Sequence, residues 1–333
     1  MSGSPFRLSG PGAIGYVGWG ILVLAACLSL VVPFLLSPYV LHLIILVLLY
    51  AYLSQCWNIV GGYAGQLSLG HALFFGTGAY TSTLLFLHYS VTPWAGMLIG
   101  ACCAATLGLA IGFLCFRYGL KGPYFALVTI AFAEMARLVA LNVTVLGGAS
   151  GLQIPLHEGA GAAVFQLSNL SAYYVIYGMT ILSVLIVNAM RHNSIGYFLL
   201  AIREDELGAE AVGVNPRKYK LVSLVASAFL TALGGTFYAQ YYLFLEPNSS
   251  LGIGVSITFA VNAIIGGRGT ILGPILGSLL LTLSGEFTRS LVTYGGAGVH
   301  MMIFGAILMF TCIFLPEGMV PTIAKRLNPK RTC

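Results

Sequence analysis

The sequence predicts an all-α, polytopic helical membrane protein of about ten transmembrane segments, and three observations carry that prediction. Of 333 residues, 58% are hydrophobic and 7% charged, against about 25% charged in a soluble protein. Mean hydropathy is +0.93, too high for a globule with one buried core. The apolar residues come in continuous runs near the ~20 that span a bilayer as a helix. A transmembrane barrel would instead show alternating segments of ~10 residues. In hydrocarbon each backbone N–H must find its partner within the segment, which leaves helices for runs of this kind.

Spans are expected at 14–36, 40–60, 66–88, 94–116, 122–146, 171–190, 220–243, 254–266, 270–286 and 300–318. The first follows a polar, Gly-rich start with one Arg, and its length suits a span better than a signal peptide. A low-charge loop, 147–170, opens on Gly147-Gly-Ala-Ser-Gly151 and separates the fifth and sixth spans. It is expected to dock against something or to pack over the bundle. The eighth and ninth spans are short, because Gly266-Gly267-Arg268-Gly269 interrupts one apolar stretch. A single re-entrant hairpin is the alternative there. The whole chain, 1–333, reads as one membrane domain.

Charge placement orients this map. With both ends inside, 13 of the 15 basic residues fall in cytoplasmic segments: Arg7, Arg117, Lys121, Arg191, Arg203, Arg217, Lys218, Lys220, Arg268, Lys325, Arg326, Lys330 and Arg331. The opposite orientation breaks the positive-inside tendency. Both termini are therefore expected in the cytoplasm. The net charge of +6 is a topology signal, and no nucleic-acid role is needed to explain it. The seven cysteines are odd in number and lack C-x-x-C spacing, so they read as small packing residues.

Nine of the 24 charged residues crowd into one island, 191–220. Within it Leu207, Ala211 and Val214 recur at i, i+4 and i+7 beside Arg203, Glu204, Asp205, Glu206 and Glu210. Gly213 and Asn215-Pro216 end the helix, since Pro disfavours helical geometry in the residue before it. A helix apolar along one edge and charged beside it suits a groove on a soluble partner. The competing reading is a connector lying on the bilayer surface. Four acids against one base over 203–210 argue against that, because anionic lipid repels them.

Two further groups lie in spans. In Gly61 to Tyr80, six glycines accompany Gln66, Ser68 and His71. Non-helical backbone at membrane depth is tolerated where it lines a cavity or is buried in protein, so Gly65, Gln66, Ser68 and His71 are candidates for the translocation path. For the glycines themselves, close helix packing by small residues is the simpler expectation. Glu134 and Arg137, three apart in the fifth span, are costly there unless they pair or face water. A structural ion pair is the simpler expectation; contact with a zwitterionic substrate is the sharper one. Asn58-Ile-Val-Gly-Gly62 is faintly echoed by Asn262-Ala-Ile-Ile-Gly-Gly267, as duplicated transporter halves allow.

Several blocks together resemble the LivM-type permease subunits of branched-chain amino acid ABC importers. They are Ala201 to Asn215, Ala232-Leu-Gly-Gly-Thr-Phe-Tyr-Ala239, Gly61 to His71, Gly122 to Glu134, and Ile265-Gly-Gly-Arg-Gly-Thr-Ile-Leu-Gly-Pro274. The likeness covers roughly residues 40 to 315. It implies a subunit of an ATP-driven importer in a bacterial inner membrane, moving leucine, isoleucine or valine. The implied partners are a LivH-type second permease subunit, two cytoplasmic ABC ATPases and a periplasmic amino-acid-binding protein, all working at the lipid bilayer. It also makes 203–213 the counterpart of an EAA-type coupling loop, with Glu210, Ala211 and Gly213 carrying the match. Here the glycine follows the Glu-Ala pair more closely than in the general pattern. The chain has no G-x-x-x-x-G-K-[ST] loop, so ATP and Mg belong on partner chains and no cofactor is expected here. Urea and amide permeases share these blocks, and an ion-gradient-driven secondary transporter is the alternative of a different class.

Overall fold

A computed structural model describes residues 36–155 and 168–291, with isolated positions between 33 and 313 and the stretch 318–322. The first and last expected spans, 14–36 and 300–318, lie almost wholly outside the described residues, as does half of the loop 147–170. Helices dominate. In chain order they are α1 (Pro38–Asn58), α2 (His71–Tyr89), α3 (Pro93–Arg117), α4 (Pro123–Asn142), α5 (Asn169–His192), α6 (Ser194–Glu204), α7 (Glu206–Ala211), α8 (Pro216–Tyr242), α9 (Pro247–Leu251), α10 (Ile253–Gly267) and α11 (Gly273–Leu291).

Local chemistry sets these boundaries. α1, α3, α4, α8 and α9 begin on proline, whose fixed φ and missing N–H suit the first helical turn. α1 runs on into a π-helical turn, Ile59–Tyr63. Among the described residues six helical segments are long and apolar enough to cross a membrane: Pro38–Tyr63, α3, α4, α5, α8 and Pro247–Gly267. The chain is thus an all-α, multi-pass membrane protein.

α1 is the central post. Of its most apolar window 78% is buried, against 28% for α4, which stands at the periphery. Trp57, Tyr52, Tyr63, Phe237 and Phe259 fill the interior around it. Lipid offers no hydrophobic drive between helices, so close approach of backbones must supply the attraction. α2 and α8 do this: a Cβ on Gly78 would lie 2.1 Å from the Ala232 carbonyl oxygen, and one on Gly235 2.0 Å from that of Phe75. Several of the glycines in Gly61 to Tyr80 are therefore packing residues.

The Gly266–Gly269 interruption makes a tight turn between two helices. α10 and α11 pack on one another and on α1, with Gly266 against the Gly273 backbone. At the other end of the bundle β1 (Leu152–Gln153) pairs antiparallel with β2 (Phe244–Leu245), so the described part of the 147–170 loop packs over the helices.

Candidate functional site

The island folds as two helices where one was expected. α6 ends at Glu204, and Asp205 is extended (φ −149°, ψ 107°) and caps α7, accepting from the Leu207 N–H at 3.1 Å. An aspartate at this place gains more by capping than by continuing the helix. At the far end Gly213 (φ +87°) closes a Schellman motif: its N–H donates to Glu210 O at 3.0 Å and the Val214 N–H to Ala209 O at 3.0 Å. Asn215 then caps α8 through the Lys218 N–H at 3.2 Å. Leu207 and Val212 stand out at 72% and 79% exposure, with Glu204, Glu210 and Ala211 also exposed. Ala209 turns inward and Val214 is half-buried, so the apolar edge is Leu207, Ala211 and Val212.

Arg203 points the other way, into the bundle. Its Nη1 donates to Gly62 O at 2.9 Å, while Nε and Nη2 hold Glu204 Oε1 at 3.2 and 2.8 Å. Gly65 (φ +66°) gives it room, since a Cβ there would sit 2.6 Å from Arg203 Cγ. Asn58 completes the knot: Oδ1 accepts from the Gly269 N–H at 2.8 Å and Nδ2 donates to Thr270 O at 2.9 Å. The island, the end of α1 and the α10–α11 turn are thereby tied at one point. The two echoing segments meet here as unequal partners, for Asn58 is fully used whereas Asn262 is buried with neither amide atom hydrogen-bonded.

A second clamp roots α7. Glu206 receives Lys220 Nζ at 2.8 Å and Lys121 Nζ at 3.0 Å, joining α7 to α8 and to the α3–α4 turn. Lys220 is buried and needs this carboxylate. Partial burial pushes the Glu206 pKa up, but the lysine hydrogen bonds and charges outweigh it and hold the carboxyl below its ordinary range.

Between α1 and α2 the chain is non-helical from Gly65 to Gly70, and α2 starts inside the bundle. His71 Nε2 lies 2.9 Å from Ser227 Oγ, seven residues or about 10 Å of helix rise beyond Lys220. The Ser227 hydroxyl donates to Cys56 O at 2.6 Å, so it must accept from His71 Nε2–H. That leaves Nδ1 to accept from Ser68 Oγ at 3.0 Å. Both ring nitrogens are used, and the ring clasps three elements. Part of the free backbone is also bonded: Leu69 N donates to Thr129 Oγ1 at 3.1 Å, and Ser68 O accepts from Trp57 Nε1 at 2.7 Å. Gln66 is buried, with a long bond of 3.4 Å from Nε2 to Ala64 O.

Glu134 and Arg137 form a two-pronged ion pair. Arg137 Nε bonds both carboxylate oxygens, at 2.9 and 3.1 Å, and Nη2 bonds Oε1. Arg137 Nη1 reaches Asn248 Oδ1 at 2.7 Å, and Asn248 Nδ2 reaches Glu246 Oε1 at 3.1 Å. No hydrogen bond joins this network to Gln66, Ser68 or His71 among the described residues. The path candidates thus divide: Gly65 belongs with Arg203, Ser68 and His71 form the clasp, and the ion pair lies apart. Sequence reasoning missed Glu206, Lys220 and Asn58 as anchors. The one signal for Asn58 was its echo with Asn262. Among the described residues no group of three or more His, Cys, Asp or Glu is placed to hold a metal.

Comparison with known proteins sets this geometry in context. The family model described as branched-chain amino acid transport system / permease component matches residues 39–312. The high-affinity branched-chain amino acid transport system permease protein LivM of Escherichia coli (strain K12) is 30% identical over 334 residues, covering 93% of this chain and 77% of the relative. The corresponding LivH protein of the same organism is 22% identical, covering 81% and 91%. The ribose import permease protein RbsC of Escherichia coli (strain K12) is 22% identical, covering 75% and 76%. No solved structure matches the chain.

Proposed function

Because this chain belongs to the family of permease components of branched-chain amino acid transport systems, we propose that it forms half of the translocation path of an ATP-driven importer in a bacterial inner membrane. Its substrates in this reading are leucine, isoleucine and valine, delivered by a periplasmic binding protein. A LivH-type homologue supplies the other half of the path. Two cytoplasmic ATPases bind ATP and Mg, and this chain performs no covalent chemistry. About ten spans, with both termini in the cytoplasm, fit the charge placement.

The observation that carries the coupling role is the exposed apolar edge of α7, Leu207, Ala211 and Val212, beside Glu204 and Glu210 on a helix held at both ends. Such an edge on a rigid base suits a groove on an ATPase. Arg203 supports the reading from behind: motion of α7 passes through Asp205 to α6, and from Arg203 to the end of α1 and the α10–α11 turn. A rigid connection is what alternating access requires of a coupling element.

Reconstituting the chain with its three kinds of partner and measuring ATP hydrolysis against each amino acid tests this proposal. Stimulation by leucine, isoleucine or valine, absent with ribose or urea, is the expected result. Uptake by the lone chain on a proton gradient would contradict it.

A further inference from the structure

We propose that the chain holds an anionic phospholipid in a basic pocket where α3 ends and α8 begins. The proposal rests on the reading above only in placing the bundle in a bilayer. A cavity of about 420 Å³ opens there, rimmed by Arg117, Arg217, Lys218 and Asn215, with Phe113 and Leu221 among its apolar lining. Among the described residues none of the three cations has an ion pair, and the Arg117 guanidinium only rests over the Phe113 ring, 5.7 Å from its centroid. The carboxylate beside them, Glu206, is already committed to Lys121 and Lys220. This cavity and the smaller one next to it, which share Phe116 and Arg217, are thus lined by five cations and one anion, and the first turn of α8 adds the positive end of a helix dipole.

The layering of the pocket selects the ligand. Arg117 closes the membrane-crossing helix α3, and Phe113 lies one turn deeper, about 6 Å along the axis and 53% exposed. The cations thus stand at the bilayer edge, with apolar surface on their hydrocarbon side. A ligand that uses both must carry an anion outward and a chain inward. A phosphodiester headgroup with its acyl chain does so, whereas an acidic side chain from a partner protein would use the rim alone. The same field sorts the exposed charges of the island: anionic lipid repels Glu204, Asp205 and Glu210 and attracts Arg217 and Lys218. Lipid bound here would pin the start of α8 and, through Glu206, the root of α7.

Native mass spectrometry of the assembled transporter, titrated with phosphatidylglycerol or phosphatidylcholine, tests the proposal. Phosphatidylglycerol should be retained preferentially, and millimolar inorganic phosphate should not displace it. Each cation removed should weaken retention about fivefold, so R117Q/R217Q/K218Q should lose roughly a hundredfold. R191Q/R268Q, which removes two exposed charges elsewhere, should leave retention unchanged. Should the triple variant fail to assemble, R217K, which keeps the charge, must keep the preference and R217Q must lose about fivefold. Equal retention by wild type and variants overturns the proposal. Displacement by free phosphate would make this a soluble-anion site and overturn it too. So would loss of ATPase association with lipid retention intact, which would assign the cations to a protein interface.

Discussion

Two arginines hold the two ends of this bundle, and they do so differently. Arg203 spends two nitrogens on a neighbouring carboxylate and the third on the backbone carbonyl of Gly62, across 141 residues of sequence. Arg137 turns most of its donors to Glu134, one turn away on its own helix, and one to Asn248. The first arrangement joins separate elements and can transmit displacement. The second bonds mainly within its own helix, reaches out only to the exposed side chain of Asn248 on α9, and neutralises charge where lipid would penalise it. An arginine in a membrane protein is therefore read by what it joins.

The largest effect is expected at the clamp beside Arg203. Glu206→Gln leaves the buried Lys220 ammonium without its counter-ion and should cost about 3 kcal/mol, seen as a lowered thermal transition in detergent. Acid should do the same to the wild type. The folded-state pKa of Glu206 is depressed, so its stabilisation is present above the unfolded carboxyl value of about 4.3 and is lost as pH falls through the lower folded value. Glu206→Gln should lack this component of acid sensitivity.

Next comes the transmitting arginine itself. Arg203→Ala removes a charged hydrogen bond worth about 1.5–3 kcal/mol. It should reduce substrate-stimulated ATP hydrolysis about tenfold or more while the ATPases still associate. At the network around Arg137, Glu134→Gln and Arg137→Gln should each impair transport, and the double variant should recover most of it. Failure of the double to recover would make these residues substrate contacts and erase the contrast between the two arginines. The smallest effect is Gly65→Ala, which forces a left-handed φ at about 1 kcal/mol and crowds Arg203. In an Arg203→Ala background the crowding disappears, so the two changes should be non-additive.

Much of this architecture was legible beforehand because it rests on local rules. Helix composition fixed the class, and Gly213, Asn215 and Pro216 marked the end of the island helix through caps that need only neighbouring residues. The break at Asp205 was less visible. A run of four acids and one base reads as one helical face until an aspartate is seen to cap, and the resulting turn sends Arg203 inward and leaves Leu207 outside. Long-range partners were the hardest to foresee. Nothing near Asn58 announces Gly269 and Thr270, and nothing near Lys220 announces Glu206, since both pairings depend on how helices cross. His71 reads from sequence as a candidate for the translocation path, yet its two serine partners lie 3 and 156 residues away, and only the fold shows both ring nitrogens in use.

A photoreactive amino acid at position 207, activated in the assembled transporter, tests the central claim most directly. The account predicts a crosslink to an ATPase subunit that is lost when Ala211→Glu disturbs the same edge. A crosslink only to lipid or to an extracytoplasmic protein would contradict it.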